Sequence, residues 1–145
     1  MTYEYENVRD FMLSFGQQFP DEVKMVDYKT QVFRYSLIEE ESLELYKACN
    51  IVEYTDAIVD LLYVTLGAAV AAGIGPAKLQ RAWDEVHSSN MTKFWTDDEV
   101  KHALKTYTVT KVSDNRHIVR DAKGKVIKSP SYRKANLEFL RKEQA

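Results

Sequence analysis

Apolar residues recur at helical spacing through the first two thirds of the chain, and the polar positions between them mark where each helix stops. Val8, Phe11, Met12 and Phe15 share one side of a helix predicted over residues 3–16, with Gly16 as its stop. A loop through Pro20 and Asp27 leads to a second predicted helix over residues 30–49. Its apolar side carries Val32, Tyr35, Leu37, Ile38, Leu45 and Ala48. A third helix, predicted over residues 51–72, is denser in apolar residues and is expected at the centre of a bundle. Gly73 and Gly75 end it, and Pro76 suits the first turn of a fourth helix reaching Ser88 or beyond. Leu79, Ala82, Trp83 and Val86 define the expected inner face of that helix.

After Trp95 the period changes. Residues 97–105 are consistent with a short helix. Tyr107-Thr-Val-Thr and His117-Ile-Val-Arg then alternate in period two with β-branched residues, as strands do. Asp121-Ala-Lys-Gly124 is a turn signal, and Lys125-Val-Ile-Lys can return as a further short strand. Residues 136–142 are compatible with a last helical turn or two. The expected fold is mainly α: four to five helices in a bundle, with a small C-terminal β-hairpin. No repeat, linker or low-complexity segment interrupts the 145 residues. They are read as one domain with a helical body over about 3–95 and a β appendage over about 106–132.

Composition narrows the partners. A net charge of −2 and a pI near 5.9 give no global field to attract nucleic acid or a membrane surface. The start, MTYEYENVRD, has no signal-peptide hydrophobic core, and the uncharged run over residues 61–76 is too short for a membrane span. A cytoplasmic location is the resulting expectation. The single cysteine, Cys49, excludes an internal disulfide and reads as a small buried hydrophobe.

Two acidic runs carry the candidate chemistry: Glu40-Glu41-x-x-Glu44 and Glu53-x-x-Asp56-x-x-x-Asp60. On helices, Glu41 and Glu44 lie one turn apart, Glu40 and Glu44 share a face, and Glu53, Asp56 and Asp60 form one stripe. Stacked like charges destabilise a helix, unless a divalent cation lies between the two stripes and converts repulsion into attraction. Acids projecting inward from neighbouring helices build such sites in bundles. A solvated acidic face is the plainer alternative. Against it, Asp60 sits within AIVDLLYV, where an unpaired carboxylate is expensive to bury. His87, His102 and His117 are scattered without zinc-ligand spacing, so oxygen-loving Mg²⁺, with Mn²⁺ as a substitute, is the expected ion.

The strings RYSLIEEESLEL from Arg34 and DAIVDLLYVTLG from Asp56 resemble the all-α nucleoside triphosphate pyrophosphohydrolases. That superfamily includes the MazG-like, dimeric dUTPase-like and phosphoribosyl-ATP pyrophosphohydrolase families. EVHSSNMTKF from Glu85 and DAKGKVIKSPSY from Asp121 resemble a branch with many phage and bacterial members. The resemblance implies Mg²⁺-dependent cleavage between the α and β phosphates of a nucleotide, giving a monophosphate and pyrophosphate, in nucleotide-pool sanitation or economy. The family motif is EExxE followed by ExxD on the next helix. Glu40, Glu41 and Glu44 match its first part. In the second part, if Asp60 is the Asp before the LLY block, Ala57 stands where an acid is expected and Asp56 must substitute. If Glu53-x-x-Asp56 is the motif, Asp60 is an extra ligand. The implied metal set is therefore Glu41, Glu44, Glu53, Asp56 and Asp60, with Glu40 or Glu41 taking the proton of the attacking water.

Asn90 and Lys93 resemble the family's nucleotide-contacting SN-x-x-K, although a C-terminal lysine also complements a helix dipole. Lys125, Lys128 and Tyr132 form a basic-aromatic patch that either closes over phosphates or is a solvated hairpin. Arg34 is read as a structural ion pair, His87 as a helix histidine, and Trp83, Phe94 and Trp95 as core or interface. The resemblance also implies a homodimer or homotetramer. The small-residue stretch from Gly67 to Gly73 suits close helix approach within a subunit or across an interface. The rival reading is a helical bundle that binds nucleotides or a protein without hydrolysis.

Overall fold

The computed structural model describes residues 1–141. Four helices form: α1 (Thr2–Ser14), α2 (Tyr28–Lys47), α3 (Ile51–Ala71) and α4 (Pro76–Met91). They are followed by an antiparallel hairpin of β1 (Thr108–Ser113) and β2 (Arg116–Arg120). The fold class is the expected one, mainly α with a small hairpin. The chain divides into two compact units, Met1–Gln80 with Phe139–Ala145, and Arg81–Glu138, so the division falls inside α4.

In the first unit the helix ends follow from local chemistry. Gly16 and Gly73 adopt positive φ (73° and 65°), and the amides after them turn back onto Met12 and Ala69 carbonyls. α2 begins two residues earlier than predicted because the Asp27 carboxylate accepts the Thr30 amide at 2.7 Å. Asn50 caps α3 by accepting the Glu53 amide at 3.0 Å, while the Glu53 carboxylate accepts the Cys49 amide at 2.9 Å. α3 packs on α1 and α2. The core is Tyr5, Val8 and Met12 from α1 with Leu66, Val70 and Ala71 from α3, joined by Phe19, Val26, Tyr63 and Leu79. Gly73 also permits a close crossing: a β-carbon there would lie 2.2 Å from the Glu22 carbonyl oxygen.

The faces differ from the expected ones more than the elements do. Phe11 and Phe15 stack on each other at 4.5 Å but are exposed, because the buried stripe of α1 runs through Tyr5, Val8 and Met12. Nothing on α2 is fully buried; Val32 and Tyr35 are exposed, and Leu37, Ile38, Leu45 and Ala48 are half-buried. Cys49 is exposed rather than buried, its thiol donating to the Lys47 carbonyl beyond the helix end. α3 is long and apolar enough to cross a membrane by length and composition. It also carries Glu53, Asp56 and Asp60 and contributes Leu66, Val70 and Ala71 to the core, the arrangement of a central helix in a packed unit.

The second unit holds the end of α4, where Ser89 is the buried residue and Trp83 (60 % exposed) and Val86 are not. Residues 97–105 form only a 3₁₀ turn, Glu99–His102. The strand register pairs Val109 with Val119 and Lys111 with His117, with a bulge before Ser113. The predicted return strand is reduced to a single bridge between Arg120 and Val126 plus the Ile127 amide on the Val119 carbonyl. Trp95 is buried by bridging to His117 through both backbone hydrogen bonds and by donating its indole N–H to the Ile127 carbonyl at 2.9 Å. The tail keeps a 3₁₀ turn, Glu138–Leu140, and Lys142 of its predicted helix lies outside the described residues.

Candidate functional site

Because α2 and α3 are consecutive helices joined by the three residues Ala48 to Asn50, their acidic stripes run antiparallel and meet. Glu41, Glu44 and Asp60 each place a carboxylate oxygen within 4.8 Å of the other two. Glu41 and Asp60 are half-buried and Glu44 is exposed. One carboxylate oxygen of Glu41, Oε2, is buried with no hydrogen-bond partner. Burial pushes the Glu41 carboxyl above its ordinary value, and the charges of Glu44, Asp60, Glu40 and Asp56 push it further. An orphaned buried oxygen within a knot of like charges is costly for a protein to keep unless something positive answers it. A hard divalent cation with oxygen ligands fits this donor set.

The remaining acids take other places. Glu53 and Asp56 line a shallow depression with Glu44, Lys47 and Ala48. The Glu53 carboxylate is already engaged by the Cys49 amide at the helix junction. Glu40 is exposed on α2 beside the cluster. Arg34, expected in an ion pair, instead donates to Gln17 Oε1 at 2.8 Å and approaches Met12 Sδ at 3.8 Å. It lies against Gly67, where a β-carbon would be 2.9 Å from its Nη1. Burial holds its guanidinium below the usual arginine value.

In the second unit, Asn90 and Lys93 come together on a cavity of about 270 Å³, walled also by Met91, Phe94, His117, Ile118, Arg120 and Val126. Lys125, Lys128 and Tyr132 are not among its walls. Lys128 lies over the Tyr132 ring at 4.7 Å, and the Tyr132 hydroxyl is hydrogen-bonded to the buried Ser89 hydroxyl at 3.0 Å. That hydrogen bond, with Lys128 and Lys93 nearby, holds the Tyr132 phenol below its ordinary value. The segment is stapled to α4 and to Thr92 just beyond it: Ser129 donates to the Thr92 carbonyl, the Arg133 amide to Thr92 Oγ1, and the Arg133 guanidinium to Glu85 and Ser88.

Sequence reasoning passed over the pairing of His117 with Asp97, whose Nε2 and Oδ1 lie 2.6 Å apart. Period two puts His117 and Val119 on one face of β2, and both are buried, but that pattern does not name Asp97 as the partner. Ser89 and its partners left no such trace.

Among curated proteins none matches the chain. The sequence profile of the phosphoribosyl-ATP pyrophosphohydrolase family matches residues 8–90, more than half of the chain and all of both acidic stripes. The chain therefore belongs to the phosphoribosyl-ATP pyrophosphohydrolase family, within the MazG-like all-α nucleoside triphosphate pyrophosphohydrolase superfamily, and its activity is that of a nucleotide pyrophosphohydrolase.

Proposed function

We propose that this chain hydrolyses a nucleoside triphosphate or related nucleotide between its α and β phosphates with Mg²⁺ bound at Glu41, Glu44 and Asp60. The buried, partnerless Oε2 of Glu41 within reach of two further carboxylates is the observation that carries this reading. Asp56 and Glu53 flank that triad, Asp56 near enough to act on the Glu41 charge. Bound there, the cation supplies positive charge against the phosphates as the transition state gains negative charge. Glu40, exposed and beside the triad, or Glu41 itself takes the proton of the attacking water in this reading. Water oxygen bonds to phosphorus, the bridging P–O bond breaks, and a monophosphate and pyrophosphate leave. Asn90 and Lys93 bind substrate, and Lys125, Lys128 and Tyr132 complete the basic surface of the second unit. The work assigned is nucleotide-pool sanitation or economy in the cytoplasm, by a homodimer or homotetramer.

A panel of common and modified nucleotides with Mg²⁺, followed by pyrophosphate release, tests this. Turnover of at least one is expected, with loss of about 10²–10³-fold or more in Glu41→Gln and Asp60→Asn. A folded protein that turns over none of them overturns the reading.

A further inference from the structure

The net charge of −2 is the balance of two unlike parts. Residues 1–80 hold six lysines and arginines against thirteen acids, whereas Arg81–Glu138 holds twelve against eight. The positive excess is concentrated late: residues 105–134 carry nine of those cations and two acids, Asp114 and Asp121. Both acids are engaged. Asp114 pairs with Lys111 at 3.2 Å, and Asp121 Oδ1 accepts the Lys123 and Lys125 amides at 2.9 Å each. The stretch lies beyond the family match at residues 8–90. Lys125, Lys128 and Tyr132 are given to substrate above; the other cations have no such use.

The hairpin gives part of this charge a direction. Period two along β2 turns the buried His117 and Val119 to one face and Arg116, Ile118 and Arg120 to the other. The register sets Thr108 beside Arg120 and Thr110 beside Ile118. That face therefore carries two arginines, two exposed threonines and an isoleucine, and no acid. Arg116 and Arg120 are four residues apart, about 13 Å along the strand, more than one phosphate group can bridge. Lys123, exposed, continues the row in the turn that Gly124 closes at a φ of 81°. Among the described residues Arg116, Arg120 and Lys123 take part in no ion pair. Arg116 lies over the Phe94 ring at 5.1 Å, a contact that steadies the guanidinium and leaves its N–H edge for a partner. At physiological salt a field reaches about 8 Å, so a phosphate meets this local charge and not the net charge of the chain.

We propose that this face of the hairpin and the turn after it bind the phosphate backbone of a single-stranded nucleic acid, independently of base sequence and of the divalent cation. Cations spaced in one row along an extended strand match a partner whose charges also repeat along its length, and a single strand presents one such row. Arg116, Arg120 and Lys123 each take a phosphate, and the Thr108 and Thr110 hydroxyls donate between them. Arg120 also walls the cavity of Asn90 and Lys93, whereas Arg116 and Lys123 do not.

Fluorescence anisotropy of a labelled oligothymidine, titrated with the full-length protein in EDTA, tests this apart from the acidic cluster. Saturable binding is expected, with log K falling against log salt at a slope of about −2, the value for three phosphates of a single strand. Arg116→Gln combined with Lys123→Gln, both at exposed positions, should weaken binding about tenfold or more and flatten the slope. Arg116→Lys keeps the charge and should bind within a few-fold of the parent, and Glu41→Gln should bind like it. Absence of saturable binding, a slope near zero, or a double variant that binds like the parent overturns the proposal. Equally tight binding to phosphatidylglycerol vesicles overturns it too, since the partner is then a membrane surface. A protein that releases pyrophosphate from nucleotides and ignores the oligomer loses this proposal alone, and the hydrolytic reading stands.

Discussion

Glu41 is kept where it is unfavourable. Its folded-state pKa is raised, so the stability it lends is present below the unfolded carboxylate value and is lost as pH rises through the raised folded value. Above that raised value the cation-free chain therefore carries an unfavourable charge. Glu41→Gln is expected to raise the cation-free melting temperature at pH 7 by a few degrees while removing any Mg²⁺-dependent rise. In the parent, Mg²⁺ at 100 times its Kd should add about 2.7 kcal/mol. A variant that melts lower without cation, or a parent insensitive to Mg²⁺, contradicts this. Asp97 and Glu99 behave oppositely. The His117 hydrogen bond holds Asp97 below its usual range. Burial would raise Glu99, but hydrogen bonds from Thr96 and Ser131 outweigh it and hold the carboxyl low. Their contribution is present above the unfolded carboxylate value and vanishes as pH falls through the lowered values. Acid titration of Trp95 fluorescence in a Trp83→Phe background should show this loss, and Glu99→Gln should blunt it.

At the scale of elements, junctions matter as much as helices. Gly73 both turns the chain at positive φ and lets the Glu22 backbone cross. Gly73→Ala should cost about 1–3 kcal/mol from backbone strain alone, and more from the overlap. Urea denaturation measures it, and a loss below 0.5 kcal/mol would disprove the crossing. Glu53 is the other junction residue. Because its carboxylate serves the Cys49 amide, Glu53→Gln should leave pyrophosphate release within a few-fold of the parent, whereas Asp60→Asn should lower it about 10²–10³-fold or more. The four helices were legible because period and stop signals agree, with Gly16 and Gly73 terminating; the caps at Asp27 and Asn50 were not read, and α2 begins two residues before its predicted start. Glu41, Glu44 and Asp60 were legible for the same reason, since antiparallel stripes of fixed period must meet. The pairing of His117 with Asp97 was not, because it joins residues 20 apart through a bulged hairpin register that no local pattern encodes.

For the whole molecule, burial was the least legible property, and the misread residues have something in common. Phe11, Val32, Tyr35 and Trp83 sit at apolar positions yet are exposed in the single chain. An apolar pattern states that a side chain is to be covered, not which chain covers it. Ile51, Thr55, Val59 and Leu62 recur along α3 at i, i+4, i+8 and i+11, with Ile51 and Val52 each 74 % exposed. An apolar face of this extent on an otherwise charged protein fits the proposed homo-oligomer. Light scattering should return a multiple of 16.8 kDa, and Val59→Glu with Leu62→Glu should reduce it to one. A monomeric parent would remove that part of the reading.

The exposed Cys49 at the α2–α3 junction has a practical corollary. It is the chain's only sulfhydryl, so a thiol-reactive dye attaches at one atom without any engineered substitution. Its own backbone amide is held by Glu53, the first member of the α3 acidic stripe. A label there needs no mutation of the molecule it reports on. Because Mn²⁺ is paramagnetic, its arrival near that junction would register directly as quenching, in the unmodified sequence and with no substrate present.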